Sequence, residues 1–132
     1  MIKPNLQKAV KAIKTGKILV CPTDTVYGLI CDARNKKAVR RLYKIKERPK
    51  NKPLPIFVRS IAMAKTLAKI NETQENFLKK VWPGAVTVVL KSKNKQGTIG
   101  IRIPNNKFVL NLFKHTGPLA ETSANISGEV ST

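Results

Sequence analysis

The sequence predicts an α/β or α+β domain built on a mixed sheet with flanking helices. Short β-branched apolar runs alternate loosely with segments of helical spacing. The 132 residues are enough for one domain with a core of its own. No apolar run approaches the ~20 residues that a membrane-spanning helix needs. Neither a linker, an internal repeat nor a low-complexity segment divides the chain.

The elements follow in order. Leu6, Ala9, Val10 and Ile13 recur at helical spacing with Lys8, Lys11 and Lys14 turned outward, and Gly16 is placed as a C-terminal stop. Ile18 to Cys21 reads as a short buried strand ended by Pro22, and the apolar run from Cys21 to Cys31 as part of the same sheet. Val39, Leu42 and Tyr43 mark a helix that begins near Asn35 and runs into Lys46. Leu54 to Val58 is a further strand, and Ser60 can cap a helix carrying Ile61, Ala64, Leu67 and Ala68. Asn71 or Thr73 can cap the next, which carries Phe77, Leu78 and Val81 before Trp82, Pro83 and Gly84 break it. Ala85 to Leu90 and Thr98 to Ile103 are β-branched runs joined by a Lys/Asn/Gly turn, as expected of adjacent antiparallel strands. Phe108, Leu112 and Phe113 lie on one face of a last helix, and Leu119 to Thr122 reads as a final strand.

Charge narrows the function classes. Twenty-six Lys and Arg against seven Asp and Glu give a formal +19, a field that attracts nucleic acid, nucleotide phosphates and acidic surfaces. Cys21 and Cys31 lack the further ligands of a zinc site, since the single histidine is His115. They are expected to be buried, reduced thiols. Met1 to Asn5 leads straight into an amphipathic pattern, so no signal peptide and a soluble, cytoplasmic protein are expected. A Walker-type phosphate loop is missing, and one histidine leaves no nucleophilic triad. No cluster of acids forms a cation cage, so no protein metal site is expected; any Mg²⁺ would arrive on nucleotide phosphates.

Three polar segments carry chemistry. Thr23, Asp24 and Thr25 follow directly on a buried strand, where ligands of α/β sheets gather, and Gly28 permits close backbone approach; an ordinary Asx turn would use the same residues. From Lys46 to Pro53 a basic cluster is bounded by prolines. Lys46 and Arg48 do not share a helical face, so they converge on one anion only if the helix ends between them, as Pro49 encourages. Arg supplies a fork to phosphate oxygens and Lys a point charge, with Lys50 and Lys52 nearby. Alone, this run reads equally as a solvated basic loop. Glu121 to Asn125 places small hydroxyls and an amide after a strand, suited to a ribose, a base or a carboxylate, or to a strand-ending turn. Arg102 interrupts an apolar strand and needs a partner, either a ligand carboxylate or an acid such as Glu121.

Together these stretches resemble the YrdC-like family, whose central members are threonylcarbamoyl-AMP synthases. The matching stretches are Pro22 to Leu29 with Cys31 to Ala33, then Lys46 to Pro49 with Lys52 to Leu54. Trp82 to Gly84 with Thr87, Gly100 to Pro104, and Thr122 to Asn125 with Ser127 and Gly128 complete the set. They occur in the family's order and cover nearly the whole chain. The resemblance implies a YrdC/RibB-like twisted sheet with a basic concave face. It also implies formation of L-threonylcarbamoyladenylate and pyrophosphate from L-threonine, bicarbonate and ATP, which feeds threonylcarbamoylation at N6 of adenosine 37 in tRNA. In that reading Lys46 and Arg48 are catalytic and hold ATP phosphates with Lys52, while Thr87, Ser123 and Asn125 bind the nucleotide. Thr25 contacts L-threonine, with Thr23, Tyr27, Arg102 and Thr122 lining its pocket. The implied partners are tRNA or double-stranded RNA and the tRNA threonylcarbamoyl-transfer proteins.

Two departures from the family pattern are visible. Ile30 stands where a small residue is common, and the family's C-terminal part, with a strand, a Ser-Thr-Val segment and a late Arg that help close the nucleotide site, is expected to be lacking after Thr132. The chain thus reads as one YrdC-like domain over residues 1–132. Two other readings use the same residues: a non-catalytic module binding double-stranded RNA or tRNA, and the YrdC-like domain of hydrogenase-maturation carbamoyltransferases. The register of Lys46, Arg48, Ser123 and Asn125 favours the enzyme, because an RNA binder needs cations but not that set of hydroxyls and amide.

Overall fold

A computed structural model describes residues 5–22, 27–47, 49 and 53–123. Five helices and six strands alternate: α1 (Leu6–Lys14), β1 (Leu19–Pro22), β2 (Tyr27–Asp32), α2 (Lys36–Lys46), β3 (Ile56–Phe57), α3 (Ile61–Leu67), α4 (Glu72–Val81), β4 (Val88–Lys91), β5 (Thr98–Arg102), α5 (Lys107–Leu112) and β6 (Leu119–Ser123). Each helix opens on a side-chain cap. Asn5, Asn35, Ser60, Asn71 and Asn106 accept the amide three residues on, and Asn71 with Gln74 closes a capping box. Asn71, not Thr73, is therefore the cap of α4. Gly16 ends α1 as expected, at φ 82°.

The strands form one mixed sheet in the order β1-β2-β6-β3-β5-β4. Only β3 and β5 run parallel; the remaining pairs are antiparallel, including the expected β4–β5 neighbours. The run from Cys21 to Cys31 contributes to that sheet as expected, its ends lying in β1 and in β2, which pair antiparallel. Two expected strands are shorter than their apolar runs. Pro53 and Pro55 have no N–H to donate, so β3 pairs only at Ile56 and Phe57. The Trp82 indole Nε1 donates to the Val86 carbonyl at 2.8 Å, which holds residues 85–87 out of the ladder until Val88.

Strand alternation divides the core between the two faces. On one, α1 and α5 cover Cys21, Ile30, Phe57 and Leu119. On the other, α2 covers Leu29, Cys31, Leu54 and Ala120, while α3 and α4 cover Val58, Leu90 and Ile101. Beyond α1 and α5 the first face is open: Val89 is 66% exposed, and Gly100 beside it has no side chain.

Candidate functional site

Backbone register brings the three polar segments to one end of the sheet. The last pair of β1 with β2 at that end is Pro22 with Tyr27. Beside it, Ser123 pairs with Gly28 and Thr122 with Leu29. The third segment arrives from α2. This helix starts just past the far end of β2 and packs back along it through Ala38 and Leu42 against Leu29 and Cys31. Its eleven residues rise about 16 Å, close to the length of the six-residue β2, so Lys46 returns to the level of Tyr27. From there the chain reaches β6, where the Glu121 amide donates to the Pro55 carbonyl at 3.0 Å.

Lys46 is the last helical residue of α2 and is buried at 4% exposure. Glu47 follows in the left-handed region at φ 53°, its amide bonded to the Lys44 carbonyl. The helix thus ends between Lys46 and Arg48, though Lys46 itself stays in the last turn and is not released from it. Tyr27 is exposed at the head of β2, and Thr122 is buried on the α2 face of β6. Ser123 follows it, paired with Gly28. Thr23, Thr25, Arg48, Lys52 and Asn125 lie outside the described residues.

Arg102 and Thr87 stand apart from this end. Arg102 is level with Phe57 and Leu119, two strands over from β6 and four residues back from Ser123, about 13 Å along the strand. Its Nη1 donates to the Gly84 carbonyl at 2.7 Å and its guanidinium lies 4.8 Å from the centre of the Phe57 ring. Arg102 therefore anchors the 82–84 turn as well as finding the partner its burial demands. Thr87 is exposed on the open face beside Gly100, where any Cβ would come within 3.2 Å of its methyl group. Thr87 precedes Val88 and is level with Arg102, so it stands about 14 Å across the sheet and about 13 Å along the strands from Ser123, about 19 Å in all.

Glu121 is the residue that sequence reasoning placed only as a partner for Arg102. It lies buried one residue from Thr122 and raises the Cys21 thiol. Both cysteines are free and fully buried. Burial first, then Glu121, pushes Cys21 up to about 12. Burial first, then Asp32, against a smaller opposing effect of Arg41, pushes Cys31 up to about 12. Both should resist alkylation in the native protein at neutral pH and react fully once urea unfolds it; a native thiol that reacts at the rate of a free cysteine would contradict this placement. The same shifts fix a sign. In the unfolded chain the thiols ionise near pH 9 while the folded chain keeps its protons, so stability falls as pH rises from about 9 towards 12, by about 1.4 kcal/mol per pH unit and thiol. No group of three or more His, Cys, Asp or Glu among the described residues converges as a metal site. Among the described residues no helix is long and apolar enough to cross a membrane.

Comparison with known proteins agrees with this geometry. Residues 11–132 match the Sua5/YciO/YrdC family, described as telomere recombination. The chain is 42% identical to a candidate threonylcarbamoyl-AMP synthase of Methanocaldococcus jannaschii, over 92% of this chain and 60% of that protein. It is 32% identical to the threonylcarbamoyl-AMP synthase of Bacillus subtilis, over 97% of this chain and 40% of that one. The crystal structure of Pyrococcus abyssi Sua5 complexed with L-threonine superposes with a TM-score of 0.87 at 36% identity, covering 94% of this chain and 39% of that chain. The chain thus spans 40–60% of the length of these curated relatives.

Proposed function

Because this chain belongs to the Sua5/YciO/YrdC family, we propose that it forms L-threonylcarbamoyladenylate and pyrophosphate from L-threonine, bicarbonate and ATP. The product would serve N6-threonylcarbamoylation of tRNA in the cytoplasm, passed on by a threonylcarbamoyl-transfer protein. What supports the reading is that Tyr27 at the head of β2, Lys46 at the end of α2 and Thr122 and Ser123 in β6 belong to one end of the sheet.

The chemistry needs no protein nucleophile. The amino nitrogen of L-threonine adds to bicarbonate carbon with loss of water, giving a carbamate. A carbamate oxygen then attacks the α-phosphorus of ATP; that P–O bond forms as the bond to the β-phosphate oxygen breaks, and pyrophosphate leaves. Two anions must approach one another, so the barrier falls mainly through charge neutralisation and alignment. Lys46 would neutralise phosphate charge at the end of α2, with Arg48 and Lys52 following it. Thr23, Thr25, Tyr27 and Thr122 would seat L-threonine, and Ser123, Asn125 and Thr87 the nucleotide. Arg102, through Gly84, would act by holding the turn below Thr87. Mg²⁺, carried by the ATP phosphates, would add electrostatic stabilisation of the leaving pyrophosphate.

The reading is tested by omitting substrates in turn. Pyrophosphate release should require L-threonine and bicarbonate together, and fall to background without either. Release at an unchanged rate without L-threonine would refute the proposal.

A further inference from the structure

The side of the sheet that carries α2, α3 and α4 has a seam. α2 packs over β2 and β6, α3 and α4 pack over β5 and β4, and the short β3 runs between the two groups. Ile56 of β3 packs against both clusters. A groove of about 300 Å³ opens along this seam. Val39 and Tyr43 of α2 line one side, Leu67 of α3 the other, with Ile56, Ile99 and Ala120 from the strands. All but Ala120 are only half-buried, so apolar surface inside the groove still faces water and would gain from being covered.

The groove is long and its far wall is fixed. Ile56 pairs with both Ala120 and Ile101, so Thr98, three residues before Ile101, is level with Ser123. Pro118 and Thr98 both line the groove, which therefore runs about 17 Å along the strands. At the Thr98 end the β4–β5 turn is strapped to α3. The Lys93 amide donates to the Leu67 carbonyl at 2.9 Å, and Asn94 Nδ2 donates to the Thr66 carbonyl at 3.2 Å.

Charge in the groove has one sign. Among the described residues no acid lines it, whereas Lys95 lines it at the turn and Arg34 at the other end. Arg34 is already engaged: its Nε lies 3.6 Å from the Asp32 carboxylate, and it also lines a basic cleft with Arg59 and Lys114. Lys95 is exposed and forms no salt bridge with a described acid, and the Ser92 and Thr98 hydroxyls line the same end.

We propose that this groove binds a medium-chain fatty carboxylate, its alkyl chain along Ile56 and Ile99 and its carboxylate at Lys95. The volume is at the lower limit of small-molecule sites and too small for a helix about 10–12 Å across. A long apolar channel with one available cation at its mouth matches a chain bearing one negative charge, and the two hydroxyls can donate to its oxygens. None of the residues proposed above for the nucleotide or L-threonine lines the groove, so binding here is independent of the synthase reading.

The test titrates the full chain with sodium hexanoate, octanoate and decanoate below their micellar concentrations, followed by calorimetry and ¹H–¹⁵N NMR. Affinity should rise about three- to fourfold for each methylene added. Amide shifts should cluster at Val39, Tyr43, Ile56 and Ile99. Val39→Trp, which fills the groove from the α2 side, should weaken decanoate about tenfold or more, the equivalent of displacing two methylenes; Ile99→Phe fills it from the sheet and serves if the first variant does not fold by circular dichroism. Lys95→Glu should weaken decanoate about fivefold, and Lys80→Glu, the same charge change at an exposed site on α4, much less. Absence of saturable binding, an affinity that does not depend on chain length, or shifts confined to other surfaces would overturn the proposal. Equal losses in Lys95→Glu and Lys80→Glu would also overturn it, because general charge rather than the groove would then hold the ligand. No turnover is needed for any of these measurements, so their failure and failure of the synthase reading are separate results.

Discussion

Lys46→Ala is expected to lower L-threonine-dependent pyrophosphate release by about 10²–10³-fold, the usual cost of deleting one preorganised charge that faces a reacting phosphate. Lys46 sits at the last turn of α2 and is buried at 4% exposure, so its truncation removes packing as well as charge. Lys46→Met separates the two effects, because it keeps most of the apolar stem without the ammonium. Turnover should collapse in both variants, whereas thermal stability should fall more in the alanine. Near-normal turnover in Lys46→Met would remove Lys46 from the site. Arg48→Ala should behave alike if the two cations act on one phosphate chain.

Phe57→Ala is expected to cost about 3–5 kcal/mol of stability, read as a lower midpoint in urea unfolding. Phe57 is fully buried on β3, a strand of two paired residues that alone joins β6 to β5. Its ring fills the core beneath α1 and α5 and lies 4.8 Å from the Arg102 guanidinium. Truncation leaves a cavity and removes the surface on which a buried cation rests, at the strand that joins β1, β2 and β6 to β5 and β4. Phe57→Leu should recover much of the loss, since it restores volume but not the ring face. A loss below about 1 kcal/mol in Phe57→Ala would show that the sheet centre is held elsewhere.

Several elements were legible residue by residue. Asn35, Ser60 and Asn71 announce helix starts because a capping side chain must precede the first free amides, and all three cap. Gly16 announces a stop for the same local reason. The β4–β5 hairpin follows from β-branched runs around a turn. Two strands came out shorter than their apolar runs for local reasons that residue type alone does not show: the Trp82 indole takes the Val86 carbonyl and delays β4, and prolines on both sides of Leu54 shorten β3. Arg102, a charge within an apolar strand, was expected to need a partner, either a ligand carboxylate or an acid such as Glu121. Its known partners include the Gly84 carbonyl, which no spacing rule connects to it.

Composition, periodicity and caps determined by themselves that this chain is a basic α/β domain, where its helices begin, and which three polar segments deserve attention, since these depend on forces acting within a few residues. Tertiary structure alone decided that those segments share one end of a sheet ordered β1-β2-β6-β3-β5-β4, because strand order is set by burial of faces across the whole chain. It also decided that Arg34, Arg59 and Lys114 line a second cleft at the far end. Residues that far apart in sequence share no local pattern; only the packing of four segments around the ends of β2 and β3 brings their charges together.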